Sequence, residues 1–106
     1  MKKMFCLVIA FVLSLGACAA APQADLTEDD AIRIVDTYLD GIYTEYEVEQ
    51  PIEGIEEFEN GELNREDYYR VKVIAQQKVV RWFYVHVSTG ETYEWDFDAD
   101  TKTDVL

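Results

Sequence analysis

A chain of 106 residues with 22 Asp/Glu against 9 Lys/Arg carries a formal net charge of −13. That charge repels nucleic acid and anionic lipid head groups, so neither is an expected partner. Seven Tyr, five Phe and two Trp argue for one folded domain with a modest core rather than a disordered chain, and no internal repeat is visible.

The chain opens with Met1-Lys2-Lys3 and continues with an apolar run of 12 residues, Met4 to Leu15, broken only by Ser14. A basic start, an apolar stretch and small residues after it form the layout of an export signal. A spanning helix needs roughly 20 residues, so the run does not predict a permanent membrane span. Leu15-Gly16-Ala17-Cys18 then resembles the lipobox of bacterial lipoproteins. The resemblance implies a diacylglyceryl group on the Cys18 thiol, cleavage before Cys18, and fatty-acyl chains of the palmitate kind. It implies anchorage to the cell membrane or outer membrane, on the extracytoplasmic face. On this reading residues 1–17 are a signal peptide, 18–26 a lipidated tether and 27–106 the acidic domain. Cys6 leaves with the signal, and Cys18 becomes the sole cysteine, so no intramolecular disulfide or free catalytic thiol remains. Removing Lys2 and Lys3 leaves 7 basic against 22 acidic residues, a net charge of −15. Such acidity keeps a surface domain soluble. The tether from Ala19 to Leu26 reaches roughly 26 Å when extended at about 3.3 Å per residue, which holds the domain close to its membrane.

Thr27-Glu28-Asp29-Asp30 is a helix start, with Thr27 as cap, Asp30 at the capping-box position and three acids at the positive end of the dipole. Ala31, Ile34, Val35, Tyr38 and Leu39 follow at helical spacing, and Gly41 suits the exit, so a helix is predicted over 28–40. From Ile42 to Glu49 the pattern alternates, with Ile42, Tyr46 and Val48 to one side, predicting a half-buried strand ended by Pro51. Residues 52–67 are acidic, with Ile55, Phe58 and Leu63 among the carboxylates. A short strand near 55–59 with a turn at Asn60-Gly61, or an irregular loop pinned by Ile55 and Phe58, both fit. Tyr68–Ala75, Val79–Val87 and Glu91–Phe97 are rich in β-branched and aromatic residues and predict an antiparallel meander. Three-residue loops at Gln76–Lys78 and Ser88–Gly90 pair Val71 with Phe83, Tyr69 with Val85, Val85 with Tyr93 and Phe83 with Trp95. That register puts Tyr69, Val71, Val73, Phe83, Val85, Val87, Tyr93 and Trp95 on a core face. Arg70, Lys72, Trp82, Tyr84, His86, Thr92, Glu94 and Asp96 fall on the other. A two-residue Gln76-Gln77 loop would bury Trp82 and Tyr84 instead, because a one-residue slip exchanges faces. The fold class expected is α+β: one N-terminal helix packed on an antiparallel sheet of about four strands.

The acidic-capped helix, the strand Tyr68-Tyr69-Arg70-Val71-Lys72-Val73 and the hairpin Trp82-Phe83-Tyr84-Val85-His86-Val87-Ser88-Thr89-Gly90-Glu91 together resemble the PepSY domain. The last hairpin of that family typically reads hydrophobic-Val-Asp-x-x-Thr-Gly-Glu, and the resemblance covers residues 27 to 97. This chain has His86 where the family often has Asp. The resemblance implies a PepSY/cystatin-like helix on an antiparallel sheet in a secreted or membrane-attached protein. It also implies a regulatory or inhibitory role toward peptidases. The family motif contains no catalytic residue, so none is carried over.

No enzyme is expected. The single His and the Ser nearest it, His86 and Ser88, lie two apart beside a turn, and no triad with an oxyanion site is visible. No cofactor and no metal centre are expected either. Asp96-x-Asp98-x-Asp100 resembles the start of a calcium loop but lacks its Gly and closing Glu, and reads as a solvated acidic tail. The candidate binding surface is the row Trp82, Tyr84 and His86 beside Arg70 and Lys72, since aromatic and Arg groupings mark interaction sites. Either this row is open to a protein or peptide partner, or the acidic segment 52–67 folds over it and pairs with its cations. The function these features support is a lipid-anchored cell-envelope binding or regulatory module. The alternative is a structural acidic envelope lipoprotein with no specific ligand.

Overall fold

The computed structural model describes residues 25–106. Residues 1–24, where the signal segment, the lipidated Cys18 and most of the tether are expected, lie outside the described residues. Helix α1 spans Glu28–Tyr38, and the Thr27/Asp30 capping box forms, with the Thr27 N–H donating to Asp30 at 2.9 Å and the Asp30 N–H donating to Thr27 Oγ1 at 3.2 Å. The helix ends two residues before the predicted limit, in a Schellman turn. The Gly41 N–H donates to Asp36 O and the Asp40 N–H to Thr37 O. The left-handed residue closing it is Asp40, at φ 58°, ahead of Gly41 at φ 71°.

Seven strands follow: β1 (Glu45–Glu49), β2 (Ile55–Phe58), β3 (Gly61–Asn64), β4 (Tyr68–Ala75), β5 (Lys78–His86), β6 (Thr92–Asp96) and β7 (Thr101–Asp104). Five of them form one antiparallel sheet in the order β1-β4-β5-β6-β7, and β2 and β3 form a separate hairpin. The α+β class stands, and the expected count of about four strands is corrected to five in the main sheet. The additional strand, β7, comes from the tail read as solvated. Asp96 pairs with Thr101, and Trp95 with Lys102, so the acids sit in and beside a turn rather than on a loose end. Ile42 also departs from expectation, since it lies outside β1 and is 70% exposed.

The β4–β5 register matches the expected one, Val71 opposite Phe83 and Tyr69 opposite Val85, by an unexpected route. Ala75 pairs with Lys78, so the turn has only the two residues Gln76 and Gln77, both at positive φ. A straight ladder from that turn would have buried Trp82. Instead the register shifts between Val73 and Ile74: Val73 faces Arg81 and Ile74 faces Val79, leaving Val80 as the extra residue of a bulge. One extra residue reverses the parity and returns Phe83 and Val85 to the core.

The β5–β6 register differs from expectation by one residue. Trp82 faces Trp95, Tyr84 faces Tyr93 and Val85 faces Thr92. The loop is the cause, because it has four residues, Val87 to Gly90, closed by His86 N–H to Glu91 O and Gly90 N–H to His86 O. Val87 instead continues the β4–β5 register, its N–H donating to Asp67 O at 2.9 Å, while its carbonyl accepts from the Leu26 N–H at 2.7 Å. Tyr93 and Trp95 therefore join Trp82 and Tyr84 on the outer face, while Thr92 and Glu94 turn toward the helix. The main core is Ala31, Val35 and Leu39 of the helical segment on Tyr69, Val71, Val73, Phe83 and Val85. Gly90, at φ 79°, sits where a Cβ would come within 3.3 Å of Ile34, so the loop closes tightly over the helix.

Candidate functional site

The outer face carries the residues the sequence singles out. Arg70 and Lys72 alternate along β4, and Trp82, Tyr84 and His86 alternate along β5, with Trp82 opposite Lys72, Tyr84 opposite Arg70 and His86 opposite Tyr68. Each cation has acidic partners from β1. Arg70 Nε donates to Glu49 Oε1 at 2.8 Å, and Lys72 Nζ lies 2.9 Å from Glu49 and 3.1 Å from Glu47. Burial pushes the Glu49 carboxyl up, but hydrogen bonds from Lys72 and Arg70 outweigh it and hold Glu49 below its ordinary value. The Arg70 guanidinium also lies 5.2 Å from the Trp82 ring centroid, and the Lys72 ammonium 5.8 Å.

The acidic segment closes over half of this face. β2 and β3 form a hairpin, with Phe58 facing Gly61, and it lays Phe58 and Leu63 on Tyr68 and Tyr84. The Phe58 ring stands edge-on to Tyr84 at 5.8 Å and to Trp95 at 6.5 Å. Tyr84 is left 1% exposed. Segment 52–67 thus covers the middle of the row, but it does not supply the main partners of the cations: among the described residues Lys72 pairs only with β1, and Arg70 reaches Glu56 at 3.7 Å. Tyr84 is corrected from exposed surface to buried core. Burial raises its phenol above the ordinary range, with Arg70 and Arg65 opposing. Arg65 is buried beneath the hairpin, with its guanidinium 5.8 Å from the Tyr84 ring centroid and its Nε without a hydrogen-bond partner. Polar pins hold the hairpin tip to the tail: Asn60 exchanges two hydrogen bonds with Lys102, at 2.8 and 3.0 Å, and the Glu59 N–H donates to Asp100 O at 2.7 Å.

His86 stands apart from the rest of the row. Its Nδ1 accepts from the N–H groups of Ser88 at 3.1 Å and Thr89 at 3.3 Å, which fastens the loop. Ser88 Oγ donates to Asp25 instead of facing the imidazole. Asp96 Oδ1 accepts from the N–H groups of Asp98 and Ala99, and Asp100 Oδ1 accepts from Trp95 Nε1 at 3.0 Å. Among the described residues no group of three or more His, Cys, Asp or Glu is arranged to hold a metal, and no helix is long and apolar enough to cross a membrane.

The open part of the surface lies at the other end of β5. The β5–β6 ladder stops at Trp82 opposite Trp95. Ahead of that pair β5 runs through Lys78–Arg81 with no strand on its β6 side, while the chain beyond Asp96 turns away toward β7. The fork between them is a cleft of about 760 Å³. It reaches both sheet faces: Tyr38, Arg81 and Glu94 line it on the helix side, Trp82 and Trp95 on the outer side, and Val80 and Phe97 at its mouth. Val80 is 46% exposed and Phe97 68%, so large apolar side chains meet water there. Arg81 forms a two-pronged pair with Glu94, at 2.7 and 2.8 Å, leaving Asp96 and Asp98 as the unmatched charges of the rim.

Sequence reading placed Trp82 correctly on the outer face and missed the cleft. Its signal was present in the Val79-Val80 doublet, where alternation breaks, and in Phe97, which follows Trp95 at strand spacing with nothing left to pair. Comparison with protein-family models, curated proteins and solved structures finds no significant match for this chain.

Proposed function

We propose that this chain is a lipid-anchored cell-envelope module that binds a protein or peptide partner, in the manner of PepSY-like regulators of extracytoplasmic peptidases. The lipobox Leu15-Gly16-Ala17-Cys18 supplies the address. The observation that carries the binding role is the open cleft between β5 and β6, a cavity of the size ligand sites have (about 300–1,000 Å³) with aromatic side chains on both walls. Its position supports the reading. The chain enters the domain at Leu26, tied to Val87 and to the Tyr69 hydroxyl at 2.7 Å. The cleft begins at Val79, eight residues back along the strand, roughly 26 Å away at 3.3 Å per residue. An anchor at one end of the sheet and a cleft at the other present the cleft away from the membrane.

Two measurements test this in cells. Wild-type chain is expected in the membrane fraction with an acylated N-terminal peptide, and Cys18→Ser in the soluble fraction. A photo-crosslinking residue at position 97 is expected to give one discrete adduct, identified by mass spectrometry, that the same residue at exposed position 45 does not give. Lipidation without any adduct favours the alternative, a structural acidic lipoprotein without a specific ligand. Membrane association that survives Cys18→Ser refutes the anchor.

A further inference from the structure

We infer that the cleft takes an extended, cationic peptide segment, laid beside β5 so that a bulky apolar side chain packs on the edge-to-face row Trp82–Trp95–Phe97 and a neighbouring Lys or Arg meets the rim carboxylates. This rests on the binding role proposed above and specifies its ligand.

Three features of the fork select that occupant. The first is backbone. A strand without a neighbour offers unpaired N–H and C=O groups to any extended chain. The two outer edges of the sheet are guarded: β1 alternates Glu45, Glu47 and Glu49, and β7 is four residues long with Lys102 and Asp104. The inner edge at Val79–Arg81 has no such guard, and the bulge at Val80 interrupts its pairing on the β4 side as well. The second is apolar surface. Among the described residues seven large apolar side chains are exposed, and three of them, Tyr38, Val80 and Phe97, line this one cleft. The third is charge. Arg81 is spent on Glu94, so Asp96 and Asp98 give the lining a net charge of −2, in a chain already strongly acidic. An acidic segment would be repelled, and a cationic one is drawn in.

The fold supplies its own reporter. Both tryptophans of the chain, Trp82 and Trp95, line the cleft, so intrinsic fluorescence reads occupancy directly. The probe is a synthetic decapeptide alternating Lys with Val and Phe, titrated into the full-length chain in non-ionic detergent. Saturable change in tryptophan emission is expected, with affinity falling as salt rises. The same decapeptide with Glu in place of Lys, and one with Pro at every third position, are each expected to bind at least about tenfold more weakly. Val80→Ser and Phe97→Ser are surface substitutions that leave the core and the cleft charge intact, and each is expected to weaken the Lys peptide by about tenfold or more. Equal binding of the Pro-interrupted peptide overturns the strand-like mode. Equal binding by Val80→Ser and Phe97→Ser overturns the site and reduces the effect to general charge attraction. No emission change at saturating peptide overturns the inference outright. In that event an adduct at position 97 in cells still supports a partner of other chemistry, so the two failures are separable.

Discussion

Phe58→Ala should detach the acidic hairpin while leaving the five-stranded sheet folded. Phe58 is 9% exposed and stands edge-on to two rings, Tyr84 and Trp95. Truncating a buried Phe to Ala costs about 3–5 kcal/mol, and aromatic edge contacts contribute about 0.5–1.5 kcal/mol each within that total. The site lies under a short hairpin that can settle toward the sheet, so the low end, about 3 kcal/mol, applies. A two-stranded ribbon is marginal alone. Without Phe58, Leu63 is the one other side chain β2–β3 contributes to the buried aromatic cluster. The Asn60–Lys102 bonds and a distant 3.7 Å Arg70–Glu56 pair face water and add little. Local opening should therefore precede global unfolding. Urea denaturation should show the loss, equivalent to a melting point lowered by about 12–24 °C for a domain of this size. Hydrogen exchange should accelerate across 55–64, and the amides of β4 and β5 should stay protected. A loss below about 1 kcal/mol with unchanged exchange at 55–64 refutes the reasoning. Exchange that rises equally in β4 and β5 refutes the hairpin as a separable unit.

Three further outcomes are expected. Gln76 and Gln77 both occupy positive φ in a two-residue turn, which Asn-Gly adopts with less strain, so Gln76→Asn with Gln77→Gly should stabilise by about 1 kcal/mol, read as a raised urea midpoint. Glu49 is held below its ordinary value of 4.5, so its stabilising effect is present above 4.5 and lost as pH falls through the lower folded value; Glu49→Gln should start less stable at neutral pH and lose less on acidification. Tyr46 is pushed up to about 12 by burial and by its 2.6 Å bond to Asp36, so the fold loses stability as pH rises from 10.0 toward that value, and the wild type minus Tyr46→Phe difference in stability should shrink over the same window.

The parts of this fold that were legible in the sequence are those whose cause is local. The capping box is written in Thr27 and Asp30, the helix in the spacing of Ala31, Val35 and Leu39, and the strands in β-branched and aromatic runs. Pairing is not local in that sense. Each hairpin loop differed from the expected one by a single residue, yet only one of the two changed the faces. In the first, the shorter Gln76-Gln77 turn and the Val80 bulge cancel, so Phe83 and Val85 remain in the core. In the second, the loop takes in Val87 as a fourth residue, nothing downstream cancels the slip, and Tyr93 and Trp95 change sides. A strand reads its partner through the parity of everything between, and bulges do not announce themselves in composition.

The same parity decides what this surface can do. With Trp95 on the outer face, Phe58 has two rings to rest on, and the hairpin can cover Tyr84. Cover over Tyr84 removes the middle of the aromatic row, so whatever recognition this domain performs must use what the hairpin leaves. What it leaves is the stretch of β5 on the turn side of Trp82, where the Val80 bulge and the departure of the chain beyond Asp96 hold the sheet open. The bulge that absorbs Val80 therefore also borders the cleft. Deleting Val80 separates the bulge from the register it restores: without the extra residue, Ile74–Val79 and Val73–Arg81 become consecutive rungs and Phe83 stays opposite Val71. The expected result is a folded variant that keeps a cooperative unfolding transition. Loss of that transition would show that the core needs the bulge itself and not only the parity it supplies.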